Sequence, residues 1–497
     1  MQSAASAPGP GSIDLGNIKR LPILISLIIG AFFSILNETL LNIAFVDLQK
    51  EFNVAYTTIQ WLSTSYMLVV AVLIPASALL VQWFTTRQMF LGAMILFSVG
   101  TLVCAIAPQF SFLLVGRIIQ AFGTGLMLPV MMNTILVLYP PEKRGAAMGS
   151  IGLVIMFAPA IGPTLSGLIL ESMNWRWLFY LVLPFAIFAV IFAFIFLKNV
   201  TDVTKPRVDI LSILLSTIAF GGIVYGFSSL GEVENGWSNP RVYAFVAAGT
   251  VALALFIWRQ LTSKTPILDL RAFKAPMFSF ATVQVIIVMM SLFSTLMLLP
   301  ILMQQGMGMT AFAAGLVLLP GGILNGFLSP ITGKLFDKFG PRALVIPGCA
   351  ILVLVMWLFT RITLDTPTST IVLLHCTMSI AMSMIMMPAQ TNGLNQLTRQ
   401  YYPHGTAIMN TLQQVAGALG IAFFISVMSS GTKDYMLSSS DPTNPAEGAL
   451  ALNAGIHDAF QLGMIFAIVA LVLSFFIRRS VSPKEEGAAE PRMSATH

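Results

Sequence analysis

Two charged side chains, Glu38 and Arg117, fall inside long apolar stretches of this sequence. A charge is costly inside a bilayer, so a charged residue in such a stretch is a functional hypothesis by default. At a rise of 1.5 Å per residue, Glu38 lies about 12 Å and Arg117 about 8 Å from the same end of their predicted helices. The two side chains are therefore at similar depth, and we expect that they can pair.

Reversible proton binding is the chemistry that such a pair can perform. Low dielectric favours the neutral form of a carboxyl group, whereas a nearby guanidinium group favours the charged form. An acid whose basic neighbour moves can therefore bind a proton in one state of the protein and release it in another. We predict that Glu38 and Arg117 couple proton movement to a conformational change. The alternative is a static ion pair that holds two helices together.

Proline and glycine form a second pattern in the segment APAIGPTLSG, at Pro159, Gly162, Pro163 and Gly167. Proline inside a helix removes a backbone hydrogen bond and bends the helix. Glycines near one another on a helix let a second helix approach closely. The pattern predicts a bent helix at the seam between two bundles that rock, although it also fits ordinary helix packing.

A third pattern is the segment GKLFDKFGPR, which contains Gly333, Asp337, Gly340 and Arg342. The glycines permit a tight turn, and the two charged residues can bond helix ends and each other. We predict that this segment closes the cytoplasmic side of the molecule. A plain turn that carries positive charge is the alternative.

Transmembrane helices are the elements that must position these residues. The chain is 57% hydrophobic and only 9% charged, where a soluble domain carries about 25% charged residues. Its apolar runs match the roughly 20 residues that cross a bilayer as a helix. We predict an all-α membrane protein with fourteen spans, at 21–46, 58–82, 88–108, 112–138, 145–170, 177–197, 210–230, 241–261, 277–304, 312–336, 343–361, 368–396, 405–430 and 457–478.

The distribution of basic residues indicates the orientation of these spans. If both termini are cytoplasmic, twenty of the 26 Lys and Arg residues fall on the cytoplasmic side, five fall outside, and Arg117 lies within a span. Such a bias is what the positive-inside rule requires. The basic net charge therefore needs no nucleic-acid partner. The predicted parts are a cytoplasmic leader, a six-helix bundle, two linker helices, a second six-helix bundle and a cytoplasmic tail, at 1–20, 21–199, 200–262, 263–478 and 479–497.

Enzymatic chemistry has little support in the sequence. No cluster of His, Cys and carboxylate residues has metal-ligand or catalytic spacing, and no phosphate-binding loop is present. The three cysteines fall inside apolar runs, and we predict that they are small buried hydrophobic side chains. We therefore expect no cofactor, no metal and no enzyme activity, and we expect a proton gradient rather than ATP as the energy source.

Polar and aromatic groups deep in the spans are the candidates for lining a substrate site. Sites of transporters lie near the middle of the membrane between helix bundles. The candidates are Trp61, Tyr66, Asn133, Tyr225, Gln284, Asn325, Asn392, Gln413 and Gln414. Methionines of the twelfth span add flexible apolar surface that suits varied ligands, although packing is the commoner role of each. His375 either titrates or simply bonds a neighbouring helix.

Several segments together resemble the major facilitator superfamily. The first span carries LNETLLNIAF at 36–45, and the fourth carries GRIIQAFGTG at 116–125. Gly162, Pro163 and Gly167 are similar to the family's antiporter motif, and WRWLFYLVLP at 175–184 is similar to the element that begins its sixth span. The resemblance covers roughly residues 20–480 and is to the fourteen-span drug–proton antiporters (EmrB/QacA type), in their lincomycin-resistance-like subgroup.

This resemblance implies two six-helix bundles with two extra central helices, in the cytoplasmic membrane of a bacterium. It also implies proton-coupled export of lipophilic or cationic drugs by a monomer, with Arg117 taking part in proton coupling. Export of an endogenous metabolite, peptide or lipid precursor is the alternative. The sequence departs from the family at Asn37, where the family has an acid, because the carboxylate here is one position later. It also departs at Gln82 and Trp83, which replace a charged pair after the second span.

Overall fold

The computed structural model describes residues 20–54, 56–200, 203, 209–228, 239–263, 266–439 and 445–480. The predicted leader and tail therefore lie almost wholly outside the described residues. The described helices are α1 (Arg20–Ile43), α2 (Phe45–Phe52), α3 (Tyr56–Trp83), α4 (Thr86–Ala105), α5 (Phe110–Leu138), α6 (Arg144–Ser172), α7 (Arg176–Phe196), α8 (Ile210–Ser228), α9 (Pro240–Thr262), α10 (Pro276–Ile301), α11 (Ala311–Phe339), α12 (Arg342–Phe359), α13 (Thr368–Asn395), α14 (Tyr402–Ser438) and α15 (Pro445–Ser474).

All of these helices except α2 are at least 18 residues long, and each corresponds to one predicted span. Within the described residues, twelve helices are long and apolar enough to cross a membrane. A thirteenth is α3 if its two parts, Trp61–Leu73 and Ala76–Trp83, count as one span despite a bend of 58°. The sequence has Pro75 at this bend, and proline removes a helical hydrogen bond. The all-helical membrane fold is confirmed, whereas the number fourteen stays a prediction.

The long helices pack in two groups, with α1 and α3–α7 in the first and α10–α15 in the second. The groups meet along two seams, where α6 packs on α11 and α3 packs on α14. One buried apolar core lies within the second group, and another extends from the first group to residues of α10, α13 and α14. The predicted boundaries of the two bundles stay a prediction.

The hairpin of α8 and α9 lies beside the second seam, because α8 contacts both α3 and α14. Gly222 of α8 and Gly249 of α9 face each other and bring the two backbones close together. At one end of the hairpin, Arg259 forms a bidentate salt bridge with Asp209, with distances of 2.8 and 2.9 Å. The hairpin is thus a unit that touches both helix groups.

The connection between the last two helices differs from the sequence-based expectation. The spans predicted at 405–430 and 457–478 leave the segment 431–456, rich in Ser, Pro and Asn, as the loop between them. Instead α14 continues to Ser438 and α15 begins at Pro445, so most of this segment is helical. Hydropathy reports only the apolar part of a helix, and a helix can continue into water beyond it.

Candidate functional site

Arg117 of α5 is fully buried in a network of neutral hydrogen-bonding groups. Its Nη1 atom donates to Asn37 Oδ1 at 3.2 Å and to Gln120 Oε1 at 3.1 Å. Gln120 Nε2 in turn donates to Asn37 Oδ1 at 3.0 Å and to Thr101 Oγ1 at 2.8 Å. The guanidinium carbon lies 4.1 Å from the centre of the Tyr66 ring, a favourable cation–π distance. The arginine is therefore held in place without a carboxylate.

Glu38 does not form the expected ion pair with Arg117 in this conformation. The described residues contain no salt bridge between them, although Arg117 is near enough to act electrostatically on the Glu38 carboxyl group. Successive residues of a helix point about 100° apart. The side chain of Asn37 therefore reaches α5, while Glu38 faces a cavity. A static ion pair, the alternative role, is likewise not present here.

The cavity that Glu38 faces has a volume of about 430 Å³ and lies between the two helix groups. Its apolar walls are mainly Met, Leu and Pro side chains from both groups. A smaller set of polar side chains also reaches it. This set consists of Glu38, Thr39, Ser63, Tyr66, Arg117, Thr124, Gln304, Asn325, His375, Ser379 and Gln414. A large apolar volume with a few polar groups is typical of sites for lipophilic ligands.

The position of the cavity along the helices is one-sided. On α1 and α10 its lining residues lie in the later part of the helix and on α3, α11 and α13 in the earlier part, whereas those on α5, α6 and α14 extend to the middle of the molecule. Because consecutive long helices run in opposite directions, these parts lie toward one end of the molecule. That end is remote from Arg20 at the beginning of α1. The opposite end, where α6 begins and α11 finishes, is closed.

Only some of the predicted substrate residues line this cavity. Tyr66, Asn325 and Gln414 do, and so do His375, Met378 and Met382. The remaining candidates are Trp61, Asn133, Tyr225, Gln284, Asn392 and Gln413, none of which is among the lining residues. The two sets differ in the direction in which the side chain points from its helix, and a single sequence does not reveal that direction.

The candidates outside the cavity have other neighbours. Trp61 is partly exposed and packs against Tyr225 of α8, with ring centres 5.8 Å apart. Asn133 lines a separate small pocket in the first helix group. Gln284 is fully buried and donates to Cys349 Sγ at 3.1 Å. Gln413 is also buried. These side chains therefore serve packing between helices in this conformation.

The proline and glycine pattern in α6 lies between α1 and α11. Pro159 lines the cavity. A side-chain carbon added to Gly162 would collide with Thr39, the residue after Glu38, so this glycine lets α6 approach α1. A carbon added to Gly167 would lie 3.1 Å from the Phe312 ring across the seam. The side chain of Pro163 lies outside the described part of the structure. The predicted place of α6 at a seam agrees with this geometry.

Asp337 joins the two helix groups at the closed end. Its carboxylate accepts hydrogen bonds from the backbone N–H groups of Gly145 at 2.9 Å and Ala146 at 3.1 Å. A carboxylate at a helix N-terminus is stabilised by the unpaired N–H groups and by the helix dipole. Gly145 and Gly333 pack backbone to backbone at this point, since an added carbon on either would collide with the other. We refer to this contact of α6 with the end of α11 as the gate.

Two details of the predicted gate segment are different in the structure. Gly333 is not in a turn, because α11 continues to Phe339, and its smallness serves close packing. Gly340 does form the turn and has a φ of +79°, a conformation that glycine adopts without strain. Arg342 donates to the backbone oxygen atoms of Ile477 at 2.6 Å and Phe475 at 3.3 Å, beyond the end of α15.

Arg144 is a gate residue that sequence reasoning missed. It was counted only as one of the cytoplasmic loop charges, but it is buried and joins the two helix groups. Its guanidinium group donates to Asn395 Oδ1 at 3.0 Å and to the Tyr402 hydroxyl at 2.7 Å, both in the second group. It also donates to two backbone oxygens of its own group. Gln120 was missed for a similar reason, since a neutral amide carries no signal in a charge count, and Asn37 was noted only as the position where the family has an acid.

The profile of the Major Facilitator Superfamily matches residues 27–421. The lincomycin resistance protein LmrB of Bacillus subtilis (strain 168) is 56% identical over 461 residues, which are 93% of this chain and 96% of that protein. LmrB of Listeria innocua is 51% identical over 463 residues, 93% of this chain and 98% of that protein.

Among solved structures, the crystal structure of the human organic anion transporter MFSD10 (TETRAN) is similar, with a TM-score of 0.63. The match covers 91% of this chain and 99% of that one at 14% identity. At this identity the similarity concerns the fold alone.

Proposed function

Because this chain belongs to the major facilitator superfamily, we propose that it exports drug molecules across the bacterial membrane in exchange for protons. It is a multi-pass membrane transporter, and its similarity to two lincomycin resistance proteins supports drug export. The single observation that carries the proposal is the cavity between the helix groups, closed at the gate, with the Glu38 carboxyl group in its wall.

The chemistry of the cavity favours lipophilic and cationic substrates. Its volume of about 430 Å³ and its Met, Leu and Pro walls fit the apolar part of a substrate. Glu38 is the only acidic residue among the lining residues, and Arg117 is the only Lys or Arg. With Glu38 ionised, the two charges balance, and a cation can bind at the carboxylate. With Glu38 protonated, the charge of Arg117 is uncompensated and repels a cationic substrate.

This charge balance gives a coupling mechanism. Proton binding to Glu38 and substrate binding exclude each other, which is the basis of an exchange of one for the other. The network of Asn37, Gln120 and Thr101 keeps Arg117 in place while Glu38 changes its charge. Glu38 and Arg117 are thus the proposed coupling residues, and their roles differ. Glu38 binds the proton, and Arg117 sets the charge of the cavity.

The gate gives the proposal a direction. With both termini cytoplasmic, as the basic residues indicate, the closed end faces the cytoplasm and the cavity faces outward. This conformation would then be the one that releases substrate and takes up protons. Opening of the gate and closure of the outer end would expose the cavity to the cytoplasm, with α6 and α11 moving along their seam.

Efflux from proteoliposomes tests the proposal. Purified wild type, Glu38→Gln and Glu171→Gln would be reconstituted, and ethidium and lincomycin transport would be measured with and without an imposed proton gradient. Glu171 is an exposed carboxylate at the end of α6 and serves as the matched control. We expect gradient-driven transport in wild type and Glu171→Gln and its loss in Glu38→Gln.

Two outcomes contradict parts of the proposal. Gradient-driven transport that survives in Glu38→Gln would assign coupling to another residue. Absence of ethidium and lincomycin transport in the wild type would favour the alternative, an exporter of an endogenous metabolite, peptide or lipid precursor on the same fold.

A further inference from the structure

The six residues that follow α15, which we refer to as the strap (475–480), are not helical but are firmly held. The Phe476 ring stacks on Phe280 of α10, with ring centres 6.2 Å apart. Ile477 is almost fully buried. The backbone N–H of Arg478 lies 3.2 Å from Met277 Sδ. The strap thus crosses the gate end of the second helix group.

Asn392 of α13 provides the main attachment of the strap. Its Nδ2 atom donates to the backbone oxygen of Arg478 at 2.9 Å, and its Oδ1 atom accepts from the backbone N–H of Ser480 at 2.9 Å. The Ser480 hydroxyl also donates to the backbone oxygen of Asn392 at 2.6 Å. Asn392 is 1% exposed and lies away from the cavity. Both ends of its amide group are therefore used to hold the strap, not to bind substrate.

The strap also contacts the gate. Arg479 Nη2 donates to the backbone oxygen of Asp337 at 3.0 Å, and its side chain passes over Gly340. Asp337 is the residue whose carboxylate binds the beginning of α6. Arg342 holds the other part of the strap through the oxygen of Ile477. The strap is thus bonded to the end of α11 through Arg479 and to the beginning of α12 through Arg342.

We propose that Asn392 is a positioning residue of the gate, which acts through the strap on Asp337. By holding residues 478–480, Asn392 places Arg479 against the end of α11, and this contact keeps the Asp337 carboxylate in line with the N–H groups of α6. This role of Asn392 concerns only the contact at the gate. The part that the gate plays in a transport cycle rests on the proposed transport function. Loss of the strap contacts shifts the molecule toward an open gate.

Cysteine labelling at Met132 reports the state of the gate without any substrate. Met132 is 1% exposed and lies between the helix groups, where its sulfur is 3.3 Å from Asn410 Nδ2 of α14. Met132→Cys would be made in a chain whose three native cysteines are replaced by serine. The rate of its reaction with a water-soluble maleimide would be measured in lipid nanodiscs, where both faces are accessible.

The test compares three variants in this background. Asn392→Ala removes two side-chain hydrogen bonds to the strap, and we expect labelling about 10-fold faster than in the parent. Arg479→Gln removes one bond from an exposed side chain, and we expect about a threefold increase. Asn453→Ala is the matched control, since it removes a buried amide of the same helix group near the start of α15, at the other end of that helix from the strap. We expect parental labelling in this control.

The outcomes decide between gate positioning and general stability. Unchanged labelling in both Asn392→Ala and Arg479→Gln would overturn the proposal, as would an equal increase in Asn453→Ala. If Asn392→Ala does not fold, Arg479→Gln decides alone, because its side chain is exposed and its loss does not open the core. Failure of drug transport in the wild type would leave these rates unaffected, so the two proposals are tested separately.

Discussion

Asp337→Asn is the substitution that most directly tests whether the gate is held by a carboxylate at a helix N-terminus. The carboxylate accepts two hydrogen bonds from α6, at 2.9 and 3.1 Å, and both exist only while the two helix groups touch. Asparagine has nearly the same shape but only one acceptor oxygen. Its NH2 group would face a backbone N–H group, so one bond is lost and the helix end loses its negative partner.

The size of the effect follows from these contacts. A hydrogen bond to a charged group contributes about 1.5–3 kcal/mol, and a charge at a helix terminus contributes about 0.3–1 kcal/mol. Asp337 is only partly buried, so values near the lower ends apply and the closed state loses about 2 kcal/mol. Since 1.4 kcal/mol is a factor of ten, the ratio of closed to open gate should fall about 30-fold.

The labelling rate of Met132→Cys measures this ratio, provided that the gate opens and closes faster than the reagent reacts. We expect about 30-fold faster labelling in Asp337→Asn. Lys334→Gln is the control, because it changes the charge by one unit on an exposed side chain of the same helix. Labelling of Asp337→Asn at the parental rate would refute the argument, as would an equal acceleration in Lys334→Gln, which would indicate a general effect of surface charge.

Two further predictions concern α6 and the hairpin. In Gly162→Ala the new methyl group collides with Thr39 beside Glu38. Overpacking of this kind costs about 1–3 kcal/mol, so we expect transport to fall about 10-fold. Transport should recover in the double variant with Thr39→Ala and should be unaffected by Gly92→Ala, where the added carbon meets open space. The hydrogen bond from Arg259 lowers the pKa of Asp209 from 3.8 to about 2, so this carboxylate stabilises the folded hairpin at every pH above 3.8 and less as pH falls toward 2. The difference in melting temperature between wild type and Asp209→Asn should therefore be equal at pH 7 and pH 6 and should become smaller at about pH 3. A difference that changes between pH 7 and pH 6 would contradict the lowered pKa of Asp209.

The positions of the membrane-crossing helices were available from the sequence. The fourth predicted span, 112–138, corresponds to α5 at Phe110–Leu138, and the spans for α8 and α9 also agree within a few residues. This is so because the free energy of placing a segment in a bilayer is summed over its own residues. The end of α14 was misplaced by eight residues, since helix formation outside the bilayer does not depend on hydropathy.

The partners of individual side chains were less accessible. Glu38 and Arg117 were singled out correctly as charges inside spans, yet the residue that bonds Arg117 is Asn37. The choice between two successive residues depends on the rotation of α1 about its axis, and that rotation is set by packing against α5 and α6. A charge count also gave no reason to connect Arg144 with Asn395 and Tyr402, which are more than 250 positions away.

The sequence by itself determined the class of protein, its helices and the residue types that a proton-coupled transporter would need, because these depend on composition and local pattern. Its resemblance to the major facilitator superfamily was likewise confirmed by the match over 27–421. Only the tertiary structure decided which face of each helix meets the cavity. It moved Asn392 from the predicted substrate site to the strap, and it joined Asp337 to the beginning of α6. These contacts link residues far apart in the chain, and they exist only once the helices that carry these residues have packed together.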